Sequence, residues 1–165
     1  MHDELIDIVN EKDEVIGTTT RKDAYVNLSM IRIVHVFIFN ANGEMALQIR
    51  SKDLSFCPGH YVTAGSGHVL SSETYQQAGK RELKEELDID VPLMFEGSER
   101  YQQPNGMKKI LGVLRGNYDG LLVPHEADVE GARWCSMEEL QHMVYRAEPF
   151  HPEFLLLLKK RFGIH

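Results

Sequence analysis

An excess of positive charge is what this chain most plainly lacks. It has 18 Lys and Arg against 25 acidic residues, a net charge of −7. That argues against a nucleic-acid partner, which needs a basic surface. Cysteine is scarce as well. Cys57 and Cys135 allow one bridge at most, and with no signal-peptide pattern at the start they are expected as reduced thiols in a cytoplasm. The longest apolar run, Phe154 to Leu158, is far below the about 20 residues of a membrane span, so no membrane partner is expected. The eight histidines show no HxH or HxxxH spacing, which argues against zinc. Repeats, low-complexity tracts and linkers are missing, so residues 1–165 read as a single domain.

What is present alternates between strand-like and helix-like stretches. Glu4 to Asn10 is expected as a first strand, and Thr20 caps a short helix through Arg21 to Val26. Ile31 to Phe39 is β-branched, aromatic and nearly continuous, as a central strand buried on both faces would be. Asn42-Gly43 makes a hairpin turn, after which Glu44 to Arg50 is expected to pair back. Leu93 to Tyr101 and Lys108 to Arg115 form a second strand pair, and Gly131 to Cys135 a short strand. Ser136 and Glu139 read as a capping box for a helix over Met137 to Arg146. Pro152 starts a last helix through Phe162. Strands mixed with helices in this way give an α/β layered fold.

The chain turns on Gly67 to Ile89. A glycine-bearing loop, Ala64 to His68, leads into a helix whose free amides Ser71 or Ser72 is expected to cap. Glu73 stands where a helix N-terminus favours negative charge. Gly79, Leu83 and Leu87 form one stripe facing the core. Glu82, Glu85 and Glu86, at i, i+3 and i+4, share a face roughly 100° from that stripe. Like charges at this spacing repel. An oxygen-only cluster so dense suits a hard divalent cation such as Mg²⁺, whereas the bland alternative is a solvated acidic face.

The full pattern settles between them. Gly67, five residues, Glu73, seven residues and then Arg81-Glu82-Leu83-Lys84-Glu85-Glu86 resembles the signature box of the Nudix hydrolases, which cleave nucleoside diphosphates linked to another moiety. One position departs: the family's glycine after the last helical residue is Asp88, which tolerates the left-handed conformation better than most. Short motifs elsewhere, Val34 to Phe39, Gln48 to Lys52 and Pro149 to Pro152, are similar to the branch that includes isopentenyl-diphosphate isomerase. That isomerase needs a cysteine where this chain has Ser66 and a glutamate where it has Lys109, so the hydrolase is favoured over the isomerase. A non-catalytic binding module is the third reading, and the intact acidic box argues against it.

The resemblance implies an α/β/α sandwich with a mixed sheet between helices. It implies Glu82, Glu85, Glu86 and the Gly67 carbonyl as ligands of Mg²⁺, with Mn²⁺ able to substitute. Arg81 holds the glutamates by ion pairing, with Glu73 as a second partner. Glu85 is the first choice for the base that takes the water's proton, with Glu126 or Asp128 as alternatives. Arg50, Lys52 and His68 are the substrate-binding candidates, and His35 reads as a satisfied core residue. Phe56, Tyr61 and Tyr101 serve either to stack on a base or to fill the core. The partner is then a small-molecule diphosphate, and the chain a monomer or homodimer.

Overall fold

A computed structural model describes residues 3–165. The elements in chain order are β1 (Leu5–Val9), β2 (Val15–Thr20), α1 (Arg21–Val26), β3 (Ile31–Phe39), β4 (Met45–Arg50), β5 (Tyr61–Val62) and β6 (Gly65–His68). They continue with α2 (Tyr75–Leu87), β7 (Met94–Gln102), β8 (Lys108–Asn117), β9 (Val129–Cys135), α3 (Met137–Tyr145) and α4 (Pro152–Phe162). β1 and β2 form a hairpin of their own. The other strands make a mixed sheet ordered β5-β4-β3-β8-β7, with β6 added to β3 and β9 to β4.

The central strand β3 is buried on both faces because its side chains serve two cores. Ile31, Ile33 and Phe37 pack with Ala24 of α1, Leu140 and Met143 of α3, and Phe154, Leu157 and Leu158 of α4. Val34, Val36 and Ile38 pack on the opposite face with Ala78, Leu83 and Leu87 of α2. This is the expected α/β/α sandwich. The predicted stripe on α2 faces that second core, and each of its two leucines contributes roughly 1.5–3 kcal/mol by burial. Gly79 lets the helix sit so close that a Cβ there would overlap Leu114 and crowd Val36.

Two local expectations fail at sites where long-range partners win. β4 pairs back on β3 only at Phe39↔Met45. It continues against β9 from Met45↔Cys135 onwards and against β5 at Gln48↔Val62 and Ile49↔Tyr61. The edge of β3 so vacated is taken by residues 65–68, a strand where a loop was expected, with Ile33↔His68 and Val36↔Gly65 in register. The sheet therefore parts between β4 and β6, and the cleft opens there.

Helix ends show the same competition. Thr74, and neither serine, caps α2: its hydroxyl accepts from Gln77 N at 3.1 Å while the Gln77 side chain accepts from Thr74 N at 2.9 Å. Both serines are taken by the β1 carboxylate of Asp7, to which Ser71 Oγ donates at 3.0 Å and Ser72 N at 3.2 Å. At the other end Asp88 adopts φ 55°, ψ 37° and donates its N–H to Lys84 O, filling the glycine's role. Thr20 caps α1 as expected, accepting from Asp23 N. For α3 only half the box forms, since Ser136 accepts from Glu139 N but the Glu139 carboxylate goes to Arg133.

Candidate active site

The acidic face of α2 borders a cavity of about 750 Å³ at the parting of the sheet. Arg81 organises it. Its Nε and Nη2 grip both oxygens of Glu73 at 2.8 and 2.9 Å, and Nη2 also donates to the His68 carbonyl at 3.1 Å. Nη1 reaches Glu82 Oε1 at 2.9 Å and lies 3.5 Å from Glu85 Oε2. Four of the five guanidinium N–H groups are thus hydrogen-bonded, and Glu85 lies within ion-pair range of the fifth. The Glu73 hydrogen bonds, set against partial burial and reinforced by the Glu82 charge, hold Arg81 above its ordinary pKa. The sequence reading of Arg81 as the clamp between Glu73 and the glutamates matches this geometry.

The three glutamates sit in different surroundings. Glu85 is half exposed. Glu82 is pushed up to about 6 by burial, which outweighs the pull of Arg81. Glu86 is 7% exposed and accepts from Ser66 N at 3.1 Å. Burial first, and then the charge of Glu82, raise it well above the ordinary carboxylate range. Among the described residues no three His, Cys, Asp or Glu side chains already converge on one point. A buried carboxylate and a partly buried neighbour, repelling each other and offering oxygen donors, nevertheless fit a hard divalent cation. Gly67 fits too: a Cβ on it would overlap the Glu82 carboxyl and displace it from its present position, whereas a bare backbone leaves room.

The other candidates divide. Glu126 and Asp128 line the cavity, on a loop tied to α2 by His125 N donating to Glu86 O and to the 51–60 loop by Ser51 N donating to Asp128 O, both at 2.9 Å. Burial, then Glu85 and Asp128, push Glu126 upward. Arg50 lines the cavity, but its Nε and Nη2 hold the carbonyls of Phe56 and Cys57, so much of its capacity goes into supporting the wall. Lys52 is exposed and outside the lining. His68 lines the cavity, its Nε2 2.8 Å from the Tyr25 hydroxyl. Phe56 stands half exposed at the cavity, edge-on to His151, while Tyr61 and Tyr101 pack against the core.

Sequence reasoning missed a buried polar end of the cavity formed by Lys109, Glu153 and His151. His35, read as a satisfied core histidine, is one, but it also lines this cavity. The available signals were faint: a lysine opening an apolar strand, and a glutamate in the first turn of an otherwise apolar helix.

Burial, with Arg21 and Lys109 nearby, pushes His68 down from 6.5 to about 3, and burial pushes His151 down from 6.5 to about 4. Both rings are neutral in the fold and take up protons in the unfolded chain below 6.5. The unfolded state therefore binds more protons, so their contribution is whole above pH 6.5 and is lost as pH falls towards 4. Urea unfolding midpoints measured across that window should fall steadily; a flat profile would show that these rings are not neutral when folded.

Comparison with known proteins agrees with the geometry. The model of the NUDIX domain matches residues 30–158. A Nudix hydrolase of Deinococcus radiodurans is 27% identical over 162 residues, covering 96% of this chain and 94% of its own. An uncharacterised Nudix hydrolase of Listeria monocytogenes is 30% identical over 152 residues, 91% of this chain and 89% of its own. A D. radiodurans crystal structure superposes with a TM-score of 0.81 at 26% identity, over 95% of this chain and 98% of that one. For a MutT protein from Methanosarcina mazei the values are 0.68 and 23%, over 81% and 93%, a likeness of fold.

Proposed function

The chain belongs to the NUDIX family and is an enzyme acting on diphosphate bonds; from that premise we propose that it is a Mg²⁺-dependent hydrolase of a nucleoside diphosphate derivative or nucleotide, with water attacking phosphorus. The observation that carries this reading is the Arg81-organised glutamate face bordering a cavity of about 750 Å³. Glu82, Glu85, Glu86 and the Gly67 carbonyl would hold the cation. When bound, Mg²⁺ supplies charge to offset the leaving phosphate and lowers the pKa of the attacking water. Arg81 fixes the orientation of Glu82 and Glu85. Glu85, Glu126 and Asp128 line the same cavity, and the Glu85 charge helps to push Glu126 upward. Glu85 is the first choice to take the water's proton, with Glu126 or Asp128 as alternatives. Phe56 offers a ring edge and face to a base.

Turnover of a panel of nucleoside diphosphate derivatives should vanish in excess EDTA and return with either Mg²⁺ or Mn²⁺, since every donor is oxygen. In ¹⁸O-water the label should appear on a product phosphate. Full turnover in chelator would reject the metal reading. Ser66, a hydroxyl with no activating base, cannot protonate an alkene. Isopentenyl diphosphate in D₂O should therefore acquire no carbon-bound deuterium; its incorporation would favour the isomerase.

A further inference from the structure

One end of the cavity is polar and closely packed. Lys109, His35 and Glu153 are 4%, 1% and 4% exposed, and with His151 they line the same cavity as the glutamates. The parallel pairing of β3 with β8 sets Lys109 beside Ile31, on the strand that carries His35. Pro152 starts α4 so that Glu153, in its first turn, reaches both. Its Oε1 lies 2.9 Å from His35 Nε2, and its Oε2 accepts from Lys109 Nζ at 3.1 Å.

Counting donors shows what this end can still bind. The Thr63 hydroxyl gives its only proton to Gly65 O at 3.0 Å, so it accepts from His35 Nδ1 at 3.2 Å. Burial works to raise Glu153, but the hydrogen bond and charge of His35, and then Lys109, more than offset it and hold the carboxylate well below its usual range. An ionised carboxylate only accepts, so His35 Nε2 donates as well. His151 Nδ1 accepts from Glu153 N at 3.2 Å, which leaves its proton on Nε2. Lys109 has three N–H groups; one goes to Glu153, and the Tyr25 ring lies 5.1 Å from Nζ. Both Glu153 oxygens are engaged, one by His35 and one by Lys109. What remains on offer is N–H.

We propose that this end of the cavity is a second subsite, in which Lys109 Nζ and His151 Nε2 bind an oxyanion of the substrate other than the scissile diphosphate. The group is a carboxylate or a further phosphate, and His35 and Glu153 are positioning residues that aim Lys109. An oxyanion is all acceptor and negative, matching a donor-only floor with little water to compete. An apolar moiety placed there would leave the buried ammonium short of partners, which is the strongest form of discrimination a polar site has. The subsite deepens the hydrolase reading and depends on it only for the identity of the molecule that brings the oxyanion.

The probes are inorganic phosphate and acetate, titrated separately into the full chain in EDTA. With no divalent cation present, the glutamate face gives a free anion no foothold, and binding that the Lys109 and His151 variants weaken reports on the donor floor. Side-chain ¹H–¹⁵N resonances of His151 and Lys109 should shift and saturate, and the tighter of the two anions identifies the group. Lys109→Met should weaken binding about tenfold or more. Because that variant leaves Glu153 buried against His35 alone, His151→Ser is the second arm. Serine keeps a cap acceptor for α4 but cannot reach the cavity, so binding should weaken about tenfold with the thermal midpoint unmoved. Absence of saturable shifts with either anion, or unchanged dissociation constants in both variants, would overturn the subsite. Turnover of a diphosphate with Mg²⁺ is scored independently and would stand in either event.

Discussion

Replacing Glu86 by Gln is expected to cut turnover by about two to three orders of magnitude while thermal stability, compared in EDTA, stays level or rises. Catalysis falls because one of the oxygen donors loses its charge. Stability does not, because the wild-type carboxylate is buried beside Glu82 and held well above the ordinary range. Glutamine keeps an oxygen for the Ser66 amide, 3.1 Å away in the wild type, and removes the repulsion. The sign follows from linkage. A raised carboxylate costs stability once pH climbs past the unfolded value of 4.5 towards the folded one, so the variant's advantage belongs to neutral pH and fades in acid. Calorimetry beside steady-state kinetics decides it. A variant that lost its fold along with its turnover would make Glu86 a structural residue.

Glu153→Leu is expected to be the costliest change to the fold, about 3–5 kcal/mol, because it leaves Lys109 and His35 buried without their shared counter-charge. Glu153 is held below the unfolded value of 4.5, so its contribution is present above that pH and disappears as pH falls through and beneath it. Urea curves of wild type and variant should therefore draw together in acid. The double variant Lys109→Met/Glu153→Leu should recover part of the loss, as apolar replacements of buried pairs do. A cost at pH 7 under about 1 kcal/mol, the scale of a surface pair, would show that the network is wet.

Features fixed by neighbours in sequence were legible in it. The Gly79, Leu83, Leu87 stripe, the burial of β3, the Asp88 terminus and the proline-started α4 each follow from local spacing or stereochemistry. So did the clamp: Glu73, Arg81, Glu82 and Glu85 lie within a few turns of one another. What escaped depended on partners far along the chain. Asp7 withdrew Ser71 and Ser72 from capping, and β9 drew β4 away from β3. His35 meets a carboxylate 118 residues later in the chain. Nothing in the pattern around either residue points to the other.

The parallel register of β3 with β8 also bears on how the molecule comes into being. Residues 40–107 lie between these sheet neighbours, and α2 lies inside that loop. During synthesis the acidic helix emerges well before the strand that supplies Leu114 to its core face. A lone helix of this length is marginal, and its three like-charged glutamates weaken it further. Its contacts with Val34, Val36 and Ile38 of β3 lie earlier in the chain, but the contact with Leu114 waits until the loop closes, at an entropic cost. The acidic face gains its full backing only when β8 joins the sheet. A nascent chain thus makes its three glutamates before the strand that completes the core beneath them.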